Sequence, residues 1–144
     1  MTVHAFVDES ARGGSYLLCA TIVEPAHLTT TRRALTSLLL RDVCTPKAEE
    51  AARQRCLTLL VEHLLGLRAH RLVLDSRDHR DVHDRQTLQR ALGSRPSKTE
   101  LTYEHVDSTA EPLLWISDAV AWCSGAGGDW RRRADPVIAE CFEV

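Results

Sequence analysis

Three aspartates stand at positions where a chain of this kind can place chemistry. Asp8 closes the apolar run Val3-His4-Ala5-Phe6-Val7, and Asp75 closes Arg71-Leu72-Val73-Leu74. If these short strands lie parallel and adjacent, both carboxylates emerge at the same end of the sheet, where open α/β sheets place their sites. Asp118 is the only charged residue between Leu113 and Cys123; it follows Trp115 by three residues and precedes Trp122 by four, so it shares a helical face with both. A lone carboxylate buried on such a face costs several kcal/mol unless a cation or a proton compensates it. A divalent ion, Mg2+ or Mn2+, shared among Asp8, Asp75 and Asp118 is one such compensation. Two such ions about 3.5–4 Å apart clamp the attacking and leaving oxygens of a phosphoryl transfer. Glu9 and Asp78 stand next to these acids and could add an outer ligand or orient water, which makes Asp8, Glu9, Asp75 and Asp118 the candidate catalytic set.

Each acid also has an ordinary structural reading. Asp8 precedes Glu9-Ser10 and Asp75 precedes Ser76-Arg77-Asp78, patterns that equally make turns and helix caps. Asp118 could be satisfied by Arg77, Arg131 or Arg132. Arg77, Arg80 and the run Arg131-Arg132-Arg133 are either a solvated surface or contacts to the phosphate backbone of RNA or DNA. With a net charge of −2, the chain has no global basic field to draw in a polyanion. His79 and His83, four apart among Asp78, Asp81 and Asp84, offer transition-metal ligands but read first as a solvated helix entry. Ser10 and Ser76 lack a nucleophile-activating motif, and Gly125–Gly128 lacks the Lys-Ser ending of a phosphate loop.

The elements that would position these acids follow from periodicity. Val3–Asp8 and Ser15–Val23 read as strands joined through Gly13-Gly14, an antiparallel hairpin. Pro25 opens a helix with Leu28, Ala34, Leu35, Leu38 and Leu39 on one stripe. Thr45-Pro46 restarts the chain as an N-cap and first turn, and Ala48, Ala52, Cys56, Leu59, Leu60 and Leu64 form the apolar face of a second helix ending at Gly66. Arg71–Asp75 is a buried strand, Asp81–Leu92 an amphipathic helix stopped by Gly93, Leu101–Val106 a further strand, and Leu113–Cys123 an apolar helix ended by glycines. The tail from Trp130 carries no clear pattern. A strand reached through helices needs a right-handed crossover, which sets Arg71–Asp75 parallel to the first strand. The fold class is α/β: a mixed sheet, N-terminal antiparallel hairpin plus parallel strands, with helices on both faces.

The length of 144 residues suits one domain. No apolar run approaches the roughly 18–20 residues that span a bilayer, and the N-terminus runs straight into a strand without a leader pattern. Five scattered cysteines in mostly apolar surroundings behave as reduced small hydrophobes, which points to a cytoplasmic setting, without a disulfide framework or a structural zinc site.

The motifs Phe6-Val7-Asp8-Glu9-Ser10, Tyr16-Leu17-Leu18 and Ile116-Ser117-Asp118-Ala119-Val120-Ala121 resemble a large group of RNase H-like proteins, the domain of unknown function 3800. Leu72–Asp78, Leu101–His105, Glu111–Trp115 and Gly128–Arg133 are similar to an uncharacterised branch of that group. The resemblance spans nearly the whole chain. It implies an RNase H-like fold and metal-dependent cleavage of nucleic acid, with Asp8, Asp75 and Asp118 on the acidic pattern. A catalytically degenerate member that binds nucleic acid or a protein partner without cleaving is the competing implication. Against the group's pattern, Leu40–Pro46 joins two helices directly where relatives carry a further strand and a further carboxylate. This predicts a sheet one strand short, Ser15–Val23 as an exposed edge, and a homodimer through that edge or through helix 46–65.

Overall fold

The structure, a computed structural model, describes residues 3–24, 36–93 and 100–144. β1 (Val3–Arg12) and β2 (Ser15–Val23) form the expected hairpin. Gly13 and Gly14 both take positive φ, 56° and 76°, the backbone that a two-residue turn must adopt to match strand twist. β3 (Thr36–Val43) follows, antiparallel to β2. A single 3-10 turn, Pro46–Ala48, leads into α1 (Glu49–Gly66), then β4 (Ala69–Asp75), a second 3-10 turn at Asp78–Arg80, α2 (Asp81–Gly93) and β5 (Thr102–Val106). α3 (Leu113–Ala126), the short α4 (Gly128–Ala134) and β6 (Ile138–Glu143) complete the described elements.

The six strands make one mixed sheet in the order β5-β4-β1-β2-β3-β6. β4 lies beside β1 and parallel to it, as the crossover argument requires, with Phe6 opposite Val73 and Val7 opposite Leu74. β5 extends the parallel half, and β6 runs parallel to β3 at the far edge. Strand alternation divides the core. Val3, Ala5 and Val7 of β1 and Leu72 and Leu74 of β4 point to the face covered by α1 and α2. Phe6 and Val73, together with Leu17, Cys19 and Leu39, point to the opposite face and meet Leu114, Val120 and Ala121 of α3. Helices therefore cover both faces.

Four expectations are corrected: the helix at Thr36–Val43, the missing strand, the β2 edge and the glycine stop of α1. Thr36–Val43 is a strand, not the end of a helix; residues 25–35 of the expected helix lie outside the described residues. Leu38 and Leu40 are buried on one face and Leu39 on the other. A run apolar on both alternations satisfies a helical stripe and a central strand equally well. The sheet is consequently not a strand short, and β2, paired on both sides, is not an edge, which removes the basis for dimerisation through Ser15–Val23. The tail from Trp130 carries the rest of α4, which starts at Gly128, and a sixth strand. At the end of α1, the left-handed residue is Arg68 (φ 53°) and not Gly66, which remains helical. Thr45 precedes the first turn as expected but makes no side-chain capping bond.

Candidate metal centre at the strand ends

Continuing the β1–β4 register by one residue sets Asp8 beside Asp75 at the carboxyl ends of two parallel strands. By alternation both belong to the α3 face, like Phe6 and Val73. α3 is fastened over them by Ser117, whose buried hydroxyl donates to the Phe6 carbonyl at 2.6 Å and lies 2.7 Å from the Thr21 hydroxyl. Asp118, the next residue, stands close enough that its charge is felt at Asp8. Burial pushes the Asp8 carboxyl up to about 7; the charges of Glu9, Asp75 and Asp118 push the same way, against one hydrogen bond from the Glu9 N–H. Asp75 is also raised, by burial and then by the charges of Glu9 and Asp107, while the Ser108 N–H hydrogen-bonds it. Among the described residues, no arginine, lysine or histidine pairs with Asp8, Asp75 or Asp118. The turn reading has support at Asp78, exposed with φ 54°, whose N–H is bonded to Ser76 Oγ.

The burial expected for Asp118 is not found. Asp118 is exposed, and so are Trp115 and Trp122, so no buried carboxylate demands compensation there. The arginines proposed as its partners are engaged elsewhere. Arg131 bonds Asp135, and Arg132 and Arg133 both bond Asp129 in exposed pairs within α4 and the turn after it. Arg77 pairs with Glu50 and Asp84, and Arg80 with Glu50.

Glu9 points to the other side of the sheet, into a charged network that the sequence reading missed. Its carboxylate pairs with Arg53 of α1, a fully buried side chain. Arg53 also makes a bidentate contact with Asp84 of α2 (Nε–Oδ1 and Nη2–Oδ2, both 2.8 Å) and donates to the Tyr16 hydroxyl at 3.1 Å. Asp84 further accepts from Arg77 Nη2 at 2.8 Å and faces His105 Nε2 at 3.0 Å. Burial alone would push Asp84 up; bonds from His105 and Arg53, with the charges of Arg53 and Arg77, hold it well below the usual carboxylate range. The signal was present: Arg53 shares an apolar stripe with Leu57, Leu60 and Leu64, and Asp84 shares one with Leu88 and Ala91. Opposite charges set on two buried stripes predict a pair.

Asp81, Asp84 and His105 bring ligand atoms within 4.8 Å of one another, a spacing that Asp8, Asp75 and Asp118 do not all share. Asp84, however, already accepts from two arginines, and Asp81 accepts from Ser76 Oγ and the Arg77 N–H, both at 2.6 Å. The two acid groups thus differ in compensation: the network around Asp84 is balanced by paired arginines, whereas Asp8 and Asp75 each receive one backbone N–H, with Arg53 acting on Asp75 only from a distance. His79 and His83, the histidines with ligand spacing in the sequence, are exposed.

This arrangement, a mixed sheet with acids at the carboxyl ends of its central parallel strands, defines an RNase H-like fold. Among solved structures the chain is similar to RNase H1 from the halophilic archaeon Halobacterium salinarum NRC-1, with 17% identity, 88% of this chain and 98% of that chain covered, and a TM-score of 0.52. No protein-family model matches the chain, and no curated protein matches it.

Proposed function

We propose that the chain is a divalent-metal-dependent nuclease of the group its motifs resemble, cleaving phosphodiester bonds of RNA or DNA at Asp8, Asp75 and Asp118. The observation that carries this is the uncompensated state of Asp8, pushed up to about 7 beside further carboxylates with no cation paired to it. Such a donor set of hard oxygens suits Mg2+ or Mn2+. Bound there, the metal would supply a polarised phosphoryl oxygen and an activated water. Of the chain's own residues, Asp8 and Asp75 hold fixed positions because their strands are buried and paired. Asp118 approaches from a helix pinned by Ser117, and Glu9, steered away by Arg53, contributes charge without joining the ligands. Arg77 and Arg80 are held by acids inside the fold, whereas the pairs of Arg131 with Asp135 and of Arg132 and Arg133 with Asp129 lie at the surface, where phosphate would compete with those carboxylates. A cytoplasmic setting belongs to the same proposal. So does self-association, for which the outer surface of α1 is the route that remains from the sequence reading.

The engagement of Arg77 and Arg80 within the fold favours a second reading, a silent member that binds without cleaving. Thermal denaturation with Mn2+ separates the two. A metal centre raises the melting temperature, because the ion favours the folded state, and Asp118→Asn abolishes the rise. An unchanged melting temperature of the parent across millimolar Mn2+ would rule out the nuclease reading.

A further inference from the structure

All three tryptophans of the chain are exposed: Trp115 at 58%, Trp122 at 43% and Trp130 at 54%. Indoles gain more than most side chains from burial, so three of them left in water mark a surface with another use. One of them is linked to a strand-end acid, and another packs beside the end of β1. Trp115 Nε1 donates to the Ser108 carbonyl at 2.7 Å, and the Ser108 N–H is in turn bonded to Asp75. Trp122 meets Trp130 edge to face, with centroids 5.5 Å apart, and carries the Arg12 guanidinium 5.4 Å from its ring centroid. Arg12 ends the strand that holds Asp8. On α3, Asp118 lies between Trp115 and Trp122, so the two indoles bracket its carboxylate over about 10 Å of helix axis.

We propose that Trp115 and Trp122 are stacking platforms for unpaired nucleobases, and that the polymer crossing the acids is single-stranded nucleic acid. The inference rests on the phosphodiester reading of Asp8, Asp75 and Asp118. A phosphate seated at those acids leaves the nucleotides on its two sides over the two indoles. Stacking requires only a π face, which every base has, whereas a duplex keeps its bases on one another. Arg12 adds a cation beside Trp122 where a backbone would pass. A protein partner or a second copy fits less well. Charges are depleted from the centre of such interfaces, yet here Asp118 sits between the rings and Asp129, Arg132 and Arg133 border Trp130. The same carboxylates repel a polyanion until a cation is present, so binding at this surface depends on a divalent ion.

Fluorescence anisotropy with labelled oligothymidylate, an abasic oligomer of equal length and a duplex, each in Ca2+ and in EDTA, tests the proposal. The base-bearing single strand is expected to bind roughly tenfold tighter than either competitor in Ca2+. Trp115→Ala and Trp122→Ala, both at exposed positions, are expected to remove that preference, and Trp122→Ala, whose indole makes no bond to the loop at Asp75, is expected to keep the parent's Mn2+ shift in melting temperature. Equal affinity for base-bearing and abasic strands, no binding of any strand, or variants that bind like the parent overturns it. So does light scattering in which Trp122→Ala turns a dimer into a monomer with oligomer binding unchanged. Failure of the metal centre shows separately, as an absent Mn2+ shift in the parent.

Discussion

Asp8 and Asp84 are both sheltered from water, and their surroundings drive them in opposite directions. Asp84 has two arginines and an imidazole around it; Asp8 has only carboxylates and one N–H. The signs of their contributions to stability differ accordingly. Asp8 rises from 3.8 to about 7 on folding, so the native state holds its proton more tightly. The stabilisation this gives is complete below the unfolded value and is lost as pH climbs through about 7. In EDTA, urea denaturation is therefore expected to show about 1–2 kcal/mol of stability disappearing between mildly acid and neutral pH, a figure reduced for solvent screening. Asp8→Asn should flatten that slope, and a parent with no slope in this window would contradict the crowding of acids at Asp8. Asp84, held low, works in the other direction and withdraws its stabilisation only in stronger acid. Its partner Arg53 admits a sharper test. Arg53→Met removes the cation that Glu9 and Asp84 share and leaves the buried Asp84 with Arg77 and His105 alone, at an expected cost of about 3–5 kcal/mol. Adding Asp84→Leu should recover part of that loss. A single variant within about 1 kcal/mol of the parent would show that the network does not hold α1 to α2.

At the level of elements, the site depends on how α3 is fixed over β1. Ser117 donates to the Phe6 carbonyl, so the Thr21 hydroxyl must donate to Ser117, and each group is buried. Ser117→Ala deprives both partners and is expected to cost about 1–3 kcal/mol by chemical denaturation. Because Asp118 is the next residue, the same variant should weaken the Mn2+ shift, which separates it from a core change remote from the acids. Gly125 sets the other end of the contact: a Cβ there would lie 3.1 Å from Leu17 Cδ1, so the helix passes close over β2. β3 shows where periodicity misleads. Thr36–Val43 carries buried leucines toward both layers, and Leu40→Ala is expected to cost about 2–5 kcal/mol, the range for a fully buried leucine. An exposed helical position would lose far less.

Across the whole molecule, β6 closes the half of the sheet that the hairpin begins. It covers β3, whose Leu38, Leu39 and Leu40 would otherwise line a long apolar edge. Removing residues 138–144 is expected to lower the melting temperature and to produce concentration-dependent association by light scattering. Unchanged monodispersity of the shortened chain would show that β3 tolerates an open edge. The strand-end acids lie at the opposite half of the sheet, around β1, β4 and β5, so Mn2+ should still stabilise what remains folded.

Much of this was legible in the residues themselves. The Gly-Gly hairpin, the parallel placement of β4 against β1, and the positions of α1, α2, β5 and α3 follow from turn chemistry and apolar periodicity, while the helix ends run past the expected glycine stops, α1 through Gly66 and α3 through Gly125 to Ala126. These are local properties, set within a few residues of chain. The adjacency of Asp8 and Asp75 was also legible, because handedness of the crossover and strand direction leave little choice. What only the tertiary structure decided is how each charge is compensated. Arg53 and Asp84 lie on stripes that the sequence shows, but their meeting depends on the packing of α1 against α2. Asp118 and its tryptophans share a helical face in the sequence, yet whether that face meets the sheet or water depends on the rotation of α3. Leu114, Ser117 and Ala121 turn to the sheet and leave Trp115, Asp118 and Trp122 outside. Periodicity establishes that residues share a face; only long-range contacts establish what that face touches.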